Sequence, residues 1–181
     1  MRIHVLSALH TGFKFYTACY DEPDVLVLAG DIGVHPKIVH TWASMYEGSK
    51  TQIVYVAGNH EFYNRHYEVW LERYRTEAAA IAPPMAGRLH FLEHDEAVID
   101  GVRFLGCAAF ANAWDQPGPN GEPALLGEQS RIAPDFWFFG HSHQATKIKF
   151  GKTLCLANPR GYPGESGTTG FGSTLMIDVQ S

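Results

Sequence analysis

Gly58-Asn59-His60-Glu61 follows directly on the apolar run Ile53-Val54-Tyr55-Val56-Ala57, which is typical of a buried β-strand. An asparagine and a histidine at the end of such a strand suit neither a packed core nor a simple turn. Both side chains, however, bind metal ions and phosphate groups in proteins. The stretch therefore predicts a site with metal and phosphate chemistry where this strand ends.

The same arrangement occurs twice more in the chain. Residues 25–29, Val-Leu-Val-Leu-Ala, lead into Gly30-Asp31, and residues 136–139, Phe-Trp-Phe-Phe, lead into Gly140-His141-Ser142-His143. Each apolar run predicts a buried strand, and each is followed by a glycine and then by a side chain that ligates metals. Three such arrangements predict one site that is built on the ends of strands.

The composition indicates a globular chain that folds as one domain over residues 1–181. Hydrophobic residues make up 45% and charged residues 18% of the sequence, which argues against disorder. No apolar run approaches the roughly 20 residues of a membrane span, and the first residues lack the pattern of a secretory signal. The formal net charge of -5 gives no electrostatic basis for binding nucleic acid.

Cysteine and histidine usage adds two expectations. Cys19, Cys107 and Cys155 are odd in number and have apolar neighbours. We therefore expect reduced thiols in a cytoplasmic protein rather than a disulfide framework. The ten histidines exceed what packing requires, which points to a metal site.

The remaining patterns predict alternating strands and helices in the first half of the chain and antiparallel hairpins in the second half. Asp100-Gly101 and Gly151-Lys152 each separate two short apolar runs, as the turn of a hairpin does. Residues 111–134 and 158–172 are predicted to be long loops, which are usually functional or mobile. Further strands are expected at residues 3–7 and 173–179, and helices at residues 36–46 and 65–81, with a short helix near residues 13–20.

The ordered set of these motifs resembles that of the calcineurin-like metallophosphoesterase family. Gly30-Asp31, the Gly-Asn-His-Glu stretch and the Gly-His-Ser-His stretch stand in the family's order, each after a strand, and residues 158–163 resemble a loop of some bacterial members. The resemblance covers most of the chain. It implies an α/β fold, a four-layer α/β/β/α sandwich of two mixed sheets flanked by helices, here shortened in its second half. It also implies a site for two divalent metal ions.

The sequence departs from the family's pattern in two places. The family begins with Asp-x-His, whereas this chain has Ala8-Leu9-His10 and so lacks the carboxylate. The family usually carries a further metal-binding histidine before its Gly-His-x-His motif, and no apolar run followed by a histidine lies between residues 105 and 135. We therefore expect the chain to bind metal weakly, or to bind one ion, and to be slow or inactive.

The resemblance assigns the surviving residues to two ions that share Asp31. One ion would be bound by His10, Asp31 and His143, and the other by Asp31, Asn59 and His141. Three protein ligands with open positions are typical of catalytic zinc centres, so the losses do not exclude binding. The mixture of imidazole, carboxylate and amide ligands suits Mn, Fe, Zn or Co.

The resemblance also implies a mechanism, in which a hydroxide activated by two metal ions attacks the phosphorus of a small phosphoester. His60 would protonate the leaving oxygen as general acid, and Asn59 would contact a metal and a phosphate oxygen. Arg160 would bind another phosphate oxygen. Glu61 would orient a ligand or a loop.

Plainer interpretations stay open for several of these residues. Asp31 is of a type common in turns and helix N-caps, and His10 has lost its partner carboxylate. Arg160 would equally be a surface cation. Asp115 and Asp135 are the candidates to replace a lost ligand.

Three functional hypotheses remain at this point. The chain is a phosphoesterase whose activity is impaired by Ala8 and the missing histidine. Alternatively, it is a non-catalytic pseudoenzyme that binds a phosphorylated ligand or a protein partner. In the third hypothesis a second chain of an oligomer donates the missing histidine.

Overall fold

The computed structural model describes residues 1–17, 22–108, 134–165 and 167–179. Two α-helices, α1 (Ile38–Met45) and α2 (Tyr67–Ala79), and two 3-10 turns, His60–Phe62 and Pro163–Glu165, lie in these residues. The strands are β1 (Arg2–Leu6), β2 (Val25–Ala29), β3 (Gln52–Val56), β4 (Leu89–Leu92), β5 (Asp95–Ile99), β6 (Val102–Gly106), β7 (Phe136–Phe139), β8 (Thr146–Phe150), β9 (Thr153–Ala157) and β10 (Met176–Asp178).

Five of the strands form the first sheet, in the order β10-β1-β2-β3-β4. Strands β1 to β4 are parallel, and β10 joins the edge of β1 in the antiparallel sense. β2 is buried on both faces, as its unbroken apolar run predicts. Because parallel strands point the same way, the residues that follow β1, β2 and β3 meet at one edge of this sheet.

The two faces of the first sheet have different partners. Side chains alternate between the faces of a strand, so Leu26 and Leu28 pack with the helices whereas Val25 and Val27 face the other way. On the helical face, Trp42 of α1 and Tyr74 of α2 are fully buried. Both helices therefore cover the same face of the sheet.

The opposite face of the first sheet packs against a second layer of strands. This layer holds the hairpin β5–β6 and a three-stranded sheet in the order β7-β9-β8. Phe104 and Leu156 from the layer are buried against Val5 and Val54 of the first sheet. In the β5–β6 hairpin, Asp100 and Gly101 have φ angles of 47° and 80°, which are the positive values of a type I′ turn.

The structure confirms an α/β sandwich with two mixed sheets, since β7 pairs with β9 in parallel and β8 pairs with β9 in the antiparallel sense. It differs from the expectation in that the β5–β6 hairpin is a separate two-stranded sheet. In the part of the chain that the structure describes, the two helices α1 and α2 lie on one face rather than flanking both sheets. The single domain spanning residues 1–181 remains a prediction.

The expected helix at residues 13–20 is not formed in its described part. Residues 13–17 are a turn and irregular chain, because tertiary contacts engage this segment instead. The Arg160 guanidinium binds the Lys14 carbonyl oxygen at 2.9 Å and lies over the Tyr16 ring. The end of the predicted helix, Cys19, Asp115 and most of the predicted loop at 111–134 lie outside the described residues.

Candidate metal centre

The ends of four strands bring the predicted ligands together. His10 follows β1, Asp31 follows β2 and His60 follows β3, and one ligand atom from each lies within 4.8 Å of the others. His141 and His143 follow the end of β7. His10 Nε2 lies 2.9 Å from His143 Nε2. Residues separated by more than 130 positions in the sequence thus share one site.

Two glycines allow the strand ends to approach this closely. A Cβ atom at Gly58 would overlap the Asp31 carboxylate, and one at Gly140 would overlap the carbonyl oxygen of Ala29. Any side chain at either position would push two strand ends apart. The glycine of each motif is therefore a packing requirement of the site.

The backbone at the site adopts a conformation that is uncommon for residues with side chains. Ala8, His10, Asp31 and His141 have φ angles of 44°, 48°, 56° and 66°. Such left-handed residues cost on the order of 1–3 kcal/mol each and cluster at functional sites. Ala8 stands out, because asparagine, aspartate and histidine adopt this conformation more readily than alanine. Position 8 therefore has a backbone suited to aspartate, the residue that the family carries there.

His10 is neutral and buried. The residue is only 3% exposed. This burial lowers the pKa of His10 to about 4, although the nearby Asp31 carboxylate acts to raise it. Among the described residues its Nδ1 has no hydrogen-bond partner. A neutral imidazole is the form that ligates metals.

His143 is oriented by an acidic side chain that the sequence analysis missed. Its Nδ1 lies 2.6 Å from Glu165 Oε2, so Nδ1–H donates to that carboxylate while Nε2 faces His10 in the cluster. A carboxylate that orients a histidine in this way is common at metal sites. A signal was present, because Glu165 is the single acidic residue of 158–172.

Asp31 is the carboxylate at the centre of the site. Its Oδ1 accepts the backbone N–H of His60 at 2.9 Å, and its Oδ2 lies 3.8 Å from His141 Nδ1. Burial alone would raise the pKa of Asp31, but the nearby His141 ring and the hydrogen bond from the His60 backbone N–H outweigh it and hold the pKa below its ordinary value. The group is therefore ionised at neutral pH.

The Asn59 side chain lies between Asp31 and His141. Its amide is 2.9 Å from His141 Nδ1, and with its nitrogen turned inward it donates to both oxygens of Asp31 at 3.2 Å. Rotation about the last side-chain bond presents the amide oxygen instead. Asn59, Asp31 and His141 are thus adjacent, as the second predicted ligand set requires.

Glu61 fastens the loop that carries Asp31. It is fully buried, and burial together with the Asp31 charge raises the pKa of Glu61 to about 7, against the opposing effect of its hydrogen bonds. Each carboxylate oxygen accepts more than one hydrogen bond. The donors are the backbone N–H groups of residues 31–33, that of Gly58 and the Tyr55 hydroxyl, at 2.7 to 3.1 Å.

Tyr162 is a second residue that the sequence analysis missed. Its hydroxyl lies 3.0 Å from His60 Nε2, and its ring stacks on His10 with centroids 4.4 Å apart. It also meets the His143 ring edge-on at 4.8 Å. Tyr162 therefore packs among three of the histidines and fixes the orientation of one.

Arg160 has other partners than the phosphate that the sequence suggested. One guanidinium nitrogen donates to the carbonyl oxygens of Leu9 and Lys14, at 3.1 and 2.9 Å. The guanidinium carbon lies 5.2 Å from the centre of the Tyr16 ring. These contacts tie the loop after β9 to the turn after β1.

Asp135, which the sequence offered as a replacement ligand, is exposed and pairs with Lys152 at 3.4 Å.

The converging donors fit a divalent metal ion. A neutral His10, an ionised Asp31 and a His143 held by Glu165 form a mixed nitrogen and oxygen donor set of the kind that Zn, Mn and Fe bind. The ring of His60, expected only as a proton donor, also lies in the cluster with His10 and Asp31. The structure brings together the five predicted ligands and the predicted proton donor His60; the ligands are His10, Asp31, Asn59, His141 and His143.

Comparison with known proteins gives a family and a fold. The family model described as the calcineurin-like phosphoesterase superfamily domain matches residues 1–181. No curated protein matches the chain in sequence.

Three solved structures resemble the chain. Vacuolar protein sorting 29 from Cryptosporidium parvum is 14% identical, with a TM-score of 0.51 over 87% of this chain and 73% of that chain. A novel archaeal phosphodiesterase is 13% identical, with a TM-score of 0.48 over 93% and 88%. Zinc-complexed Vps29 from Entamoeba histolytica is 11% identical, with a TM-score of 0.49 over 99% and 86%. At 14% identity, the likeness to the Cryptosporidium parvum protein shows a shared fold and nothing more.

Proposed function

Because the chain belongs to the calcineurin-like phosphoesterase superfamily, we propose that it hydrolyses a small phosphoester with the help of divalent metal ions. The observation that carries this proposal is the convergence of His10, Asp31 and His60, whose ligand atoms lie within 4.8 Å of one another at the ends of three parallel strands. The cluster also has the mixed imidazole and carboxylate donors that such ions require.

We assign the metal ligands as two sets around Asp31. His10, Asp31 and His143 would hold one ion, and Asp31, Asn59 and His141 the other. Mn, Fe, Zn and Co all suit these donors. When bound, the ions would supply Lewis acidity toward the phosphoryl oxygens and would lower the pKa of a water molecule.

The proton donor in this proposal is His60. Its Nε2 lies 3.0 Å from the Tyr162 hydroxyl, which keeps the ring in one orientation at the edge of the cluster. A proton held at a ring nitrogen of His60 would be transferred to the oxygen of the departing alcohol. Asn59 would contact a phosphate oxygen through its amide, and Glu61 would hold Asp31 in place through the backbone.

We further propose that Ala8 and the absent late histidine impair this activity. The backbone at position 8 is left-handed and suited to aspartate, but the side chain offers no carboxylate. Asp31 is then the one carboxylate among the ligands assigned here. Its single negative charge would have to offset the positive charge of two divalent ions. Loss of ligand-shell partners typically lowers affinity or activity by about 10 to 100-fold.

The second candidate is a pseudoenzyme that binds a phosphorylated ligand or a protein partner. Ala8 favours it, because the left-handed backbone at position 8 carries no carboxylate for a metal ion. The structure of the described residues contains no helix long and apolar enough to cross a membrane. A cytoplasmic location is proposed from the odd number of cysteines.

The decisive experiment is hydrolysis of p-nitrophenyl phosphate with added Mn²⁺, by the wild type and the Asp31→Asn variant. We expect slow hydrolysis by the wild type and none above background by the variant, because its one central carboxylate is lost. Asp135→Asn is the matched control, since that carboxylate is 80% exposed and pairs only with the Lys152 side chain among the described ion pairs. Equal activity of the wild type and Asp31→Asn contradicts the proposal. A wild type that binds Mn²⁺ but never turns over supports the pseudoenzyme.

A further inference from the structure

Two exposed aromatic side chains stand beside the candidate metal centre. Phe13 is 65% exposed and Tyr63 is 67% exposed, although both are large and apolar enough to favour burial. Phe13 lies in the turn after β1, and Tyr63 ends the 3-10 turn after β3. We call this pair the aromatic rim.

Both rings of the aromatic rim are in contact with the histidines and tyrosine of the site. The Tyr63 ring is nearly parallel to the His60 ring, at an interplanar angle of 16° and a centroid distance of 6.0 Å. The Phe13 ring meets Tyr162 edge-on at 5.5 Å and His10 at 6.4 Å. The ring centroids of His10 and His60 are 4.6 Å apart, so each ring of the rim lies next to one histidine of this pair.

The position of the rim relative to His60 determines what it would bind. A group that protonates the departing alcohol must lie next to that alcohol, and the ring that extends outward from His60 is Tyr63. The alcohol part of the substrate would therefore meet the rim, while the phosphoryl group lies over the ligands. Exposed aromatic rings bind planar rings by stacking and give little to a small aliphatic or anionic group.

We propose that the aromatic rim is the leaving-group subsite, and that the substrate is a phosphoester whose alcohol carries an aromatic ring, as aryl and nucleoside esters do. This inference rests on the proposed phosphoesterase function. Phe15 and Val34 are also exposed and lie in the segments that follow β1 and β2, whereas exposed Val69 on α2 and Val98 on β5 belong to elements that do not carry the ligands. The apolar surface at the rim thus coincides with the site and serves its substrate.

The experiment compares phenylphosphonate with methylphosphonate, two ligands that cannot be hydrolysed and differ only in the ring. Affinities are measured by calorimetry in Mn²⁺, so that the readout does not depend on turnover. We expect the wild type to bind phenylphosphonate about tenfold more tightly, as stacking of one ring gives. Tyr63→Ala and Phe13→Ala should each lose most of this preference while their affinity for methylphosphonate stays unchanged.

Matched variants separate stacking from other effects. Tyr63→Phe keeps the ring and should keep the preference. Val69→Ala removes another exposed apolar side chain, on α2, and should change nothing. Asp31→Asn should lose both ligands, because the phosphonate group would then have no metal to bind.

Three results overturn the inference. If the wild type binds both phosphonates equally, or if Tyr63→Ala and Phe13→Ala retain the preference, the rim is not a leaving-group subsite, yet the phosphoesterase proposal stands. If phenylphosphonate binds Asp31→Asn as well as the wild type, the ring is bound away from the site. If neither phosphonate binds the wild type, the inference and the proposed function fail together.

Discussion

Replacing Glu61 with glutamine removes one oxygen from the group that holds the Asp31 loop. Both carboxylate oxygens of Glu61 accept backbone N–H groups: one accepts those of Ile32 and Gly33, and the other those of Asp31 and Gly58. Glutamine has one amide oxygen, so in either orientation its NH₂ group faces two N–H donors. Each buried donor left without an acceptor costs about 1–3 kcal/mol. The expected loss of unfolding free energy is therefore about 2–6 kcal/mol.

The assay is urea unfolding followed by tryptophan fluorescence, which the four tryptophans of the chain allow. It is best run at pH 8, above the Glu61 pKa of about 7, where the carboxylate is ionised. Glu93→Gln is the matched control, because Glu93 is equally buried but one of its oxygens accepts the single backbone N–H of Ala108 at 2.6 Å. The Tyr67 hydroxyl beside Glu93 can either donate or accept a hydrogen bond. In the Glu93→Gln variant, the amide oxygen can therefore accept the Ala108 N–H while the amide NH₂ group donates to Tyr67.

The two variants should differ clearly in stability. Glu93→Gln should lose no more than about 1 kcal/mol, the net value of one ordinary hydrogen bond. If Glu61→Gln loses no more than Glu93→Gln, Glu61 does not hold the loop through its two oxygens. The account of how Asp31 is positioned would then be wrong.

Three further changes test the site. Ala8→Asp should raise Mn²⁺-dependent hydrolysis of p-nitrophenyl phosphate by about tenfold or more, because it restores a carboxylate on a backbone that suits aspartate; no gain at unchanged metal content argues against a silenced enzyme. Glu165→Gln should weaken Mn²⁺ binding by about 10 to 100-fold in calorimetry, because His143 loses the carboxylate that orients it; an unchanged affinity would sink that role. Tyr162→Phe removes the hydroxyl 3.0 Å from His60 Nε2 and should lower kcat with KM unchanged, because the His60 ring loses the contact that orients it; an unchanged kcat would remove Tyr162 from the proton-donor assembly.

The sequence predicted the parts of the fold that depend on local patterns. The apolar runs that precede Gly30, Gly58 and Gly140 are strands β2, β3 and β7, since each is a short run bounded by turn residues. Asp100-Gly101 forms the predicted tight turn because both residues tolerate positive φ. The convergence of the strand-end ligands also followed, since parallel strands end at one edge.

The parts that the sequence did not predict depend on contacts between distant segments. Tyr162 and Glu165 lie in a loop more than 100 residues from His60 in the chain, and no local pattern indicates that this loop packs among the histidines. The expected helix at 13–20 failed in its described part for the same reason, because Arg160 engages the carbonyl of Lys14. Periodicity carries no information about such tertiary partners.

The central claim, that Asp31 and the surrounding imidazoles form a metal site, is tested most directly by metal content. The wild type, Asp31→Asn and Ala8→Asp are each equilibrated with Mn²⁺, separated from free metal by gel filtration and measured by elemental analysis. We predict roughly one ion per chain for the wild type, close to two for Ala8→Asp and almost none for Asp31→Asn. A wild type that retains no metal, or an Asp31→Asn variant that retains as much as the wild type, would contradict the claim.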